Sequence, residues 1–547
     1  MSRMSVAVPS ESCPAMRHCH LLLLCFCLHA AAASALETVP ARSSGAPNAP
    51  PNILFAIADD WGRHAGCYGT PWISTPAFDR VAREGLLFMN ALTPMAKCAP
   101  SRAIVLTGRH LWQLEEAGNH MARFPAKFRV WPEVLEQQGW FVGMTGKGWG
   151  PGIALDSSGR PRQLTGKSWN TLRAAPPATG IGNSDYAGNF RTFLDQAPPD
   201  QPWCFWYGSL EPHRGYEFQS GVNKGGRSPA DIDRVPGYWP DDETIRHDML
   251  DYAYEVEHTD RHLGRMLEEL EARGLLENTL VIVTSDHGMP FPRAKGYAWP
   301  ASNTVPLAIR WPKGIRKPGR SITDFVTFVD LAPTILDIAG CTPESCGMQP
   351  MTGRSLRTIF ESDAAGQIEP ARDHALVGKE RTDVGRPDDV GYPIRGIVTA
   401  THLYLRNYEP SRWPAGNPES GYPDTDGSPS KSLILQRGRS NRNDPFWQLN
   451  FGMQPEQMLF DLQADPDCLQ NLAALPQHSP LLQELRSRME AELLQQQDPR
   501  MLGQGHLFDE YPPTNGAGFH RRILEGKRPP AGWLSPDDFE PAPLDQP

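Results

Sequence analysis

A cysteine and an arginine four residues apart mark the stretch of the sequence best suited to chemistry on an anion. It reads Cys98-Ala-Pro-Ser-Arg102 and passes through an apolar run to Gly108. Pro100 suits the first turn of a helix and Gly108 suits its end. We therefore expect Cys98 at or just before a helix N-terminus, where free N–H groups and the helix dipole favour an anion. An isolated cysteine is more often a buried structural thiol, so this interpretation depends on the rest of the chain.

Two pairs of metal-capable side chains each follow an apolar run. They are Asp59 with Asp60, after residues 52–58, and Asp286 with His287, shortly after residues 279–284. Such continuous apolar runs are typical of strands that are buried on both faces, as in a parallel sheet. Adjacent carboxylates repel each other, so a bound cation is expected beside them. Oxygen ligands suit a hard cation such as calcium or magnesium, and the imidazole of His287 leaves a softer metal possible.

Three further side chains could bind an anion or carry a proton. They are Lys147 on a glycine-rich segment, His213 shortly after an apolar run, and Lys295 after the second metal pair. With Arg102 and a metal ion they would form a pocket suited to sulfuryl or phosphoryl transfer, because the oxygens of those groups carry negative charge through the transition state. His213 could protonate the leaving group.

The elements that must position these residues alternate between strands and helices. Strand patterns lie at 52–58, 87–91, 140–144, 203–207, 279–284 and 306–311, helical patterns lie at 76–87, 131–138 and 248–273, and the run at 326–339 predicts a strand passing into a helix. This alternation predicts a parallel sheet with helices on both faces. Ligands of such sheets bind beyond the carboxyl ends of the strands, so the acids at positions 59, 60 and 286 should converge.

The chain changes character after about residue 375. Short apolar runs at 396–399, 402–405 and 457–460 and a helical pattern at 481–494 predict a short antiparallel sheet with one helix. The tail, rich in Pro, Asp and Gly, is expected to wrap the surface. The 547 residues are therefore interpreted as a catalytic domain at 51–375 and a smaller α+β domain with its tail at 376–547. The net charge of -10 excludes a general basic field for nucleic acid.

The N-terminus predicts export. Basic residues precede an apolar run at 21–33, and Ala33-Ser-Ala35 offers a cleavage site. We interpret residues 1–35 as a signal peptide and residues 36–50 as a linker, so the protein would reach the periplasm, the medium or a lysosome-like compartment. No later apolar run is long enough to span a membrane. Export permits disulfides, and Cys341 with Cys346 is a plausible short-range pair.

Taken together, the motifs resemble the type I sulfatase family. Residues 98–108 match its signature, C-x-P-S-R-x(4)-T-G. Further blocks that match or resemble the family in order lie at 52–60, 145–147, 285–288, 329–336 and 459–466. The resemblance spans roughly residues 51–475. It implies an alkaline-phosphatase-like α/β sandwich with a large, mostly parallel central sheet and a smaller C-terminal α+β domain.

The resemblance also implies a role for each candidate residue. A dedicated maturation enzyme, formylglycine-generating or anaerobic, would oxidise Cys98 to Cα-formylglycine, whose hydrate attacks sulfur. One calcium ion, in preference to magnesium or another divalent cation, would be held by Asp59, Asp60, Asp286, His287 and the residue at position 98. The remaining roles are stabilisation of the hydrate and sulfate by Arg102 and Lys147, general acid catalysis by His213, and sulfate contact by Lys295.

One position departs from the family pattern. Many sulfatases have a histidine two residues after the lysine of the 145–147 block, where it contacts the formylglycine hydroxyls. This chain has Trp149 there. His110 or another residue is expected to replace the missing contact.

The blocks at 211–214 and 288–295 look most like those of heparan N-sulfatases. By that resemblance the substrate is a sulfated saccharide with N-sulfated glucosamine at a glycan end. Three alternatives stay open: a phosphonate or phosphodiester hydrolase of the same superfamily, a sulfated-glycan binder without turnover, and a thiol hydrolase, which would need a paired base.

Overall fold

The computed structural model describes residues 50–342, 346–527 and 531–544, so the predicted signal peptide and all but the last residue of the predicted linker lie outside the described residues. The strands, in chain order, are β1 Asn52–Ala58, β2 Leu86–Leu92, β3 Ala122–Phe124, β4 Phe141–Gly146, β5 Gly152–Ala154, β6 Lys167–Ser168, β7 Trp203–Gly208, β8 Thr279–Ser285, β9 Leu307–Arg310, β10 Arg320–Thr327, β11 His374–Lys379, β12 Ile394–Thr399, β13 His402–Asn407 and β14 Gln457–Asp461. The helices are α1 Pro76–Arg83, α2 Cys98–Thr107, α3 Trp131–Gln137, α4 Tyr186–Gln196, α5 Ser220–Asn223, α6 Glu243–Ala272, α7 Pro300–Asn303, α8 Leu331–Ile338, α9 Arg357–Glu361, α10 Pro429–Ser440, α11 Pro445–Phe451, α12 Ser479–Gln495, α13 Leu507–Glu510 and α14 Phe519–Leu524.

β1 lies near the centre of an eight-stranded sheet with the order β10-β2-β9-β8-β1-β7-β4-β6. Parallel pairs join β1 to β7 and β8, β4 to β7 and β6, and β2 to β10. The prediction of a large, mostly parallel sheet is confirmed. The exception is β9, which runs antiparallel to β2 and β8. The segment between β8 and β9 carries only the single turn of α7 and lacks the crossover helix that usually joins parallel strands.

Burial on both faces explains why β1 is apolar from Ile53 to Ala58. Ile53 and Phe55 pack in one core with α2, α3 and α8, whereas Leu54 and Ala56 pack in the other with α1, α4 and α6. Successive side chains of a strand point to opposite faces, so a strand covered on both sides is apolar at every position.

The long helix α6 begins five residues before the predicted helix at 248–273. The side chain of Asp242 accepts a hydrogen bond from the N–H of Thr244 and so caps the first turn. The first turn of α6 is rich in polar residues, so the apolar pattern from which the helix was predicted does not extend to its start. At the other end Gly274, with φ 65°, follows the helix as predicted.

A second sheet, antiparallel and in the order β11-β12-β13-β14, follows the central one in the chain. It packs against α12, which confirms the smaller C-terminal antiparallel sheet. The prediction of a single helix there is incomplete, because α10 and α11 lie between β13 and β14. α10 buries Ser430 and Lys431 together with apolar residues, so it lacks the apolar stripe by which a helix is recognised. The boundary at residue 375 stays a prediction.

No disulfide joins Cys341 and Cys346, so that pairing is wrong for this structure. Burial and the neighbouring Cys346 thiol raise the pKa of Cys341 to about 11, and the Sγ of Cys341 lies 4.0 Å from the carbonyl oxygen of Ala339. The two thiols therefore interact with each other but form no disulfide. Within the described ranges, no helix is both long and apolar enough to cross a membrane.

Candidate active site

The two predicted pairs of metal-binding residues lie side by side because the strands that precede them, β1 and β8, are neighbours. β1 and β8 pair in parallel with Ala58 opposite Ser285, so the residues that follow leave the sheet together. The backbone N–H of Asp60 donates to Oδ1 of Asp286 at 3.0 Å. Asp60 has φ 76°, a left-handed backbone conformation that is uncommon outside glycine and is concentrated at functional sites.

Cys98 is the first residue of α2 and lies against this cluster. Its Sγ is 3.4 Å from Nε2 of His287 and 4.0 Å from Oδ1 of Asp60. The hydroxyl of Ser101 donates to the carbonyl oxygen of Asp286 at 2.6 Å. The first turn of α2 is thus tied to the carboxyl end of β8, which places the cysteine beside the carboxylates.

The side chains at the strand ends fit a metal ion. One ligand atom from each of Asp59, Cys98, Asp286 and His287 lies within 4.8 Å of the others, and all four residues are buried. Asp60 adds an oxygen 3.1 Å from Nε2 of His287. Carboxylates with an imidazole are donors that suit a divalent cation.

A buried arginine and a partly buried lysine brace the same carboxylates. Nε of Arg102 donates to Oδ2 of Asp286 at 2.9 Å, and Nη2 lies 3.5 Å from Oδ1 of Asp59. Nζ of Lys147, just beyond β4, lies 2.5 Å from Oδ2 of Asp59. The arginine and the lysine thus offset negative charge that burial would otherwise make costly.

Lys295 connects the metal cluster to the C-terminal part of the chain. Its Nζ lies 2.7 Å from Oδ2 of Asp60 and 2.6 Å from Oδ2 of Asp426. Asp426 lies between β13 and α10, in a loop that the sequence did not single out. The lysine therefore holds two distant segments against one site.

The electrostatic field drives the pKa values of two neighbouring carboxyl groups apart. Burial raises the pKa of Asp59, but the charges of Lys147 and Arg102 outweigh it and hold that pKa well below its usual range. Burial and then the charge of Asp59 raise the pKa of Asp286 to about 7. Opposed shifts of this kind are typical of functional sites.

The same field favours an anion at position 98. Burial and the charge of Asp59 raise the pKa of the Cys98 thiol, but Lys147 and Lys295 outweigh them and hold the pKa well below its ordinary value. The start of a helix acts in the same direction. Residue 98 therefore occupies a position suited to a nucleophile.

His213, in the loop after β7, has one ring nitrogen fixed. Its Nδ1 lies 2.6 Å from the carbonyl oxygen of Arg214. Because a carbonyl oxygen can only accept, Nδ1 carries the hydrogen, and Nε2 is left to exchange a proton. Ligand atoms of Asp60, His213 and Asp426 lie within 4.8 Å of one another, which sets the imidazole beside the ion pairs of Lys295.

A cavity of about 180 Å³ brings the predicted residues Cys98, Lys147, His213 and Lys295 together. Arg102, Asp59 and Asp60 are not among its lining residues, but the two acids contact the lining lysines Lys147 and Lys295. The other polar and aromatic lining residues were not predicted; they are Lys97, His120, Asp383, Asp426 and Trp533. They lie in loops or in the tail, outside the strand-end pattern, and only Lys97 had a signal, its place next to Cys98.

The departure at Trp149 has a structural role. Its indole N–H donates to the carbonyl oxygen of Ala99 at 2.9 Å and so supports the first turn of α2. His110 does not replace the missing histidine, so that half of the expectation is wrong; the alternative, that another residue does so, stays a prediction. His110 stacks on Trp112 at 4.4 Å and lines a separate cavity of about 600 Å³.

The comparisons with known proteins agree with this geometry. The sequence model of the family described as Sulfatase matches residues 51–341, more than half of the chain. The chain belongs to the sulfatase family. It is a sulfuric ester hydrolase of the type I class, close to the heparan N-sulfatases.

Several relatives of this sulfatase are named for saccharide substrates. It is 28% identical to the human N-sulphoglucosamine sulphohydrolase, over 84% of this chain and 93% of the relative. It is 24% identical to an ulvan-active sulfatase of Formosa agariphila, over 84% of this chain and 77% of the relative. A solved complex of another protein with its substrate D-glucosamine-2-N,6-O-disulfate has a TM-score of 0.57 at 20% identity, and covers 82% of this chain and 98% of that one. The structural likeness confirms the fold.

Proposed function

We propose that this sulfatase hydrolyses the N-sulfate of a glucosamine at a glycan end, with a Cα-formylglycine made from Cys98. The observation that carries the proposal is the shared cavity: Cys98 lines it together with Lys147, His213 and Lys295. A nucleophile, a proton carrier and two ammonium groups are what transfer of a charged sulfuryl group requires. The similarity to the human N-sulphoglucosamine sulphohydrolase over most of both chains supports the choice of an N-sulfated substrate.

A calcium ion would be held by Asp59, Asp60, Asp286, His287 and residue 98, whose donors are mainly oxygens. Such an ion, when bound, draws charge from the sulfate oxygens. Arg102 keeps Asp59 and Asp286 in place from the side of the protein.

The nucleophile would be one hydroxyl of the hydrated aldehyde at position 98. As its oxygen bonds to sulfur and its proton passes to solvent, the sulfur–nitrogen bond would break and the electron pair would pass to nitrogen. Loss of the proton from the second hydroxyl then expels sulfate and restores the aldehyde, which water hydrates again.

The side chains around residue 98 divide the remaining work. Nε2 of His213 gives its proton to the departing nitrogen, because Nδ1 is fixed on a carbonyl oxygen. Lys147 and Lys295 face the sulfate from the cavity wall and stabilise the charge on its oxygens. These two lysines contact Asp59 and Asp60 in this structure, so the carboxylates hold them ready beside the cavity.

The partners of the protein follow from this chemistry. The substrate is a sulfated saccharide, and a formylglycine-generating or anaerobic maturation enzyme must act on Cys98 before turnover. Export to the periplasm, the medium or a lysosome-like compartment remains our proposal for its location.

Parallel assays test the proposed reaction. The enzyme is expected to release sulfate from N-sulfoglucosamine with a higher kcat/KM than for an aryl sulfate, a phosphonate monoester or a phosphodiester. Cys98→Ala should reduce turnover to background, whereas Arg109→Ala, outside the cavity, should retain it. The phosphonate arm matters because a phosphonate monoester hydrolase of Agrobacterium radiobacter shares the fold, with a TM-score of 0.56 at 18% identity over 82% of this chain and 96% of that one. Preference for the phosphonate or the phosphodiester would contradict the proposal.

A further inference from the structure

The Cys98 cavity has lining residues to which the proposed reaction gives no part. They are His120, Asp383 and Trp533. His120 lies just before β3, Asp383 lies beyond β11, and Trp533 belongs to the tail segment 531–544. Three distant parts of the chain therefore contribute side chains to the same space.

The two carboxylate oxygens of Asp383 differ in their contacts. Only 3% of the residue is exposed. Its Oδ2 lies 2.8 Å from Nζ of Lys97, whereas its Oδ1 has no hydrogen-bond partner among the described residues. Lys97 balances the charge of the carboxylate but leaves this acceptor unsatisfied.

His120 is in a similar position. It is 5% exposed, and its Nδ1 lies 3.7 Å from Oδ2 of Asp383, too far for a hydrogen bond. Neither ring nitrogen has a hydrogen-bond partner of ordinary geometry among the described residues, but the ring is close enough to the Cys98 thiol for a side-chain hydrogen bond that lowers the pKa of that thiol. Buried polar groups are almost always hydrogen-bonded, so unsatisfied atoms of two cavity-lining residues indicate a ligand that supplies the missing bonds.

The charges of these residues restrict that ligand. The carboxylate of Asp383 accepts hydrogen bonds and repels a second anion, while an imidazole both donates and accepts. A hydroxyl group also donates and accepts, and it carries no charge. On these grounds the sulfate is expected to bind beside Lys147 and Lys295. A hydroxyl-bearing part of the substrate is expected to bind beside Asp383 and His120.

Trp533 adds an apolar surface. Its indole N–H is engaged, because it donates to the carbonyl oxygen of Pro423 at 3.0 Å, so its contribution to the cavity is aromatic ring. Small-molecule sites typically combine aromatic walls with a few placed polar groups. The cavity of about 180 Å³ is smaller than the roughly 300–1,000 Å³ of drug-sized sites, which fits one sugar ring better than a length of polymer.

We propose that His120, Asp383 and Trp533 form a ring subsite that binds the hydroxyls and the apolar face of the sugar carrying the scissile sulfate. The proposal rests on the proposed function, since it assigns the sugar end of that substrate. Asp383 and His120 hydrogen-bond ring hydroxyls, and Trp533 covers a face of the ring.

The test compares two substrates that share a sulfate but differ in hydroxyls. For Asp383→Asn, kcat/KM is measured with N-sulfoglucosamine and with an aryl sulfate, and the saccharide-to-aryl ratio is expected to fall roughly 10- to 100-fold, as for loss of a hydrogen bond to a charged group. Trp533→Ala should lower the same ratio and serves as the second variant if Asp383→Asn does not fold. Asp373→Asn is the matched control: its carboxylate pairs with Arg488 at the other cavity, and the ratio should stay at the wild-type value.

Binding separates this proposal from the proposed function. On a Cys98→Ala background, calorimetry measures the dissociation constants of N-sulfoglucosamine and of inorganic sulfate. Addition of Asp383→Asn should weaken saccharide binding by at least about tenfold relative to sulfate binding, whether or not the wild-type enzyme turns the sugar over. A folded Asp383→Asn or Trp533→Ala protein with an unchanged saccharide-to-sulfate or saccharide-to-aryl ratio would overturn the ring subsite. Absence of sulfate release from every substrate would instead contradict the proposed function, and the binding ratio would still decide the subsite.

Discussion

Arg102 is the residue on which the geometry of the cluster most depends. It is fully buried and contacts Asp286 at 2.9 Å and Asp59 at 3.5 Å. Its Nη1 also donates to the carbonyl oxygens of Lys147 and Gly148, at 3.2 and 3.1 Å. The planar fork of a guanidinium lets one side chain reach three segments that lie far apart in sequence.

Replacement of Arg102 by alanine should therefore destabilise the fold as well as the reaction. The change leaves two buried carboxylates without their shared cation, so the free energy of unfolding is expected to fall by about 3–5 kcal/mol in denaturant titrations. Arg102→Lys keeps the charge without the fork and should give a smaller loss. Arg109→Ala, in the same segment but away from the carboxylates, is the control. An Arg102→Ala protein as stable as the control would show that the arginine is not the brace described here.

At the scale of elements, one helix supplies the cap of another. α1 begins at Pro76, and no side chain of its own N-cap residue accepts a hydrogen bond there. The two oxygens of Asp260, on α6, accept hydrogen bonds from the backbone N–H groups of Ala77 and Phe78 at 2.9 and 2.8 Å. The start of α1 is thereby fixed to the middle of α6.

This contact predicts a pH dependence of stability. Burial raises the pKa of Asp260 to about 7, although its two backbone hydrogen bonds lower it. Because this pKa lies above that of the unfolded chain, near 3.9, the folded state binds the proton more tightly. The contribution to stability is complete below about pH 4 and is lost as the pH rises to about 7, by at most about 4 kcal/mol.

Thermal unfolding between pH 4 and 7.5 measures the effect. Asp260→Asn, which does not titrate, should show a flatter dependence of Tm on pH than the wild-type protein. Asp233→Asn, at an exposed position, should keep the wild-type slope. Equal slopes for wild type and Asp260→Asn would contradict the assignment.

At the scale of the whole molecule, the tail is part of the site's support. Oδ2 of Asp538 lies 3.1 Å from Nζ of Lys431, and both side chains are fully buried. Lys431 also donates to the carbonyl oxygens of Gly421 and Thr425, each at 2.8 Å. These contacts hold the loop that carries Asp426 in place. Asp426 in turn pairs with Lys295 in the active-site cavity.

Removal of the Asp538 carboxylate should therefore also affect the active site. Asp538→Ala leaves the Lys431 ammonium buried without its counter-ion, so the unfolding free energy is expected to fall by about 3–5 kcal/mol, and kcat for sulfate release should fall as the Asp426 loop loosens. Asp537→Ala, exposed and one residue away, is the control for both measurements. Wild-type stability and kcat in Asp538→Ala would mean that the tail only covers the surface.

The sequence was most informative where a site residue directly follows an apolar strand. The runs before Asp59 and Asp286 predicted buried parallel strands, and the topology of such sheets predicted where those acids lie. Asp383, Asp426 and Trp533 could not be found this way, because loops and a tail bring them to the cavity by contacts formed only in the folded chain. β9 and α10 were harder to predict for local reasons. β9 follows a connection without a crossover helix and runs antiparallel to its neighbours, and buried polar residues interrupt the apolar pattern of α10.

Peptide mass spectrometry across residue 98 tests the central claim most directly, on protein made in its own host. The proposed mechanism predicts that the thiol of Cys98 is replaced by an aldehyde that a hydrazine reagent traps, in a fraction that follows the rate of sulfate release. The result that would contradict it is an unmodified Cys98 thiol throughout a preparation that still releases sulfate.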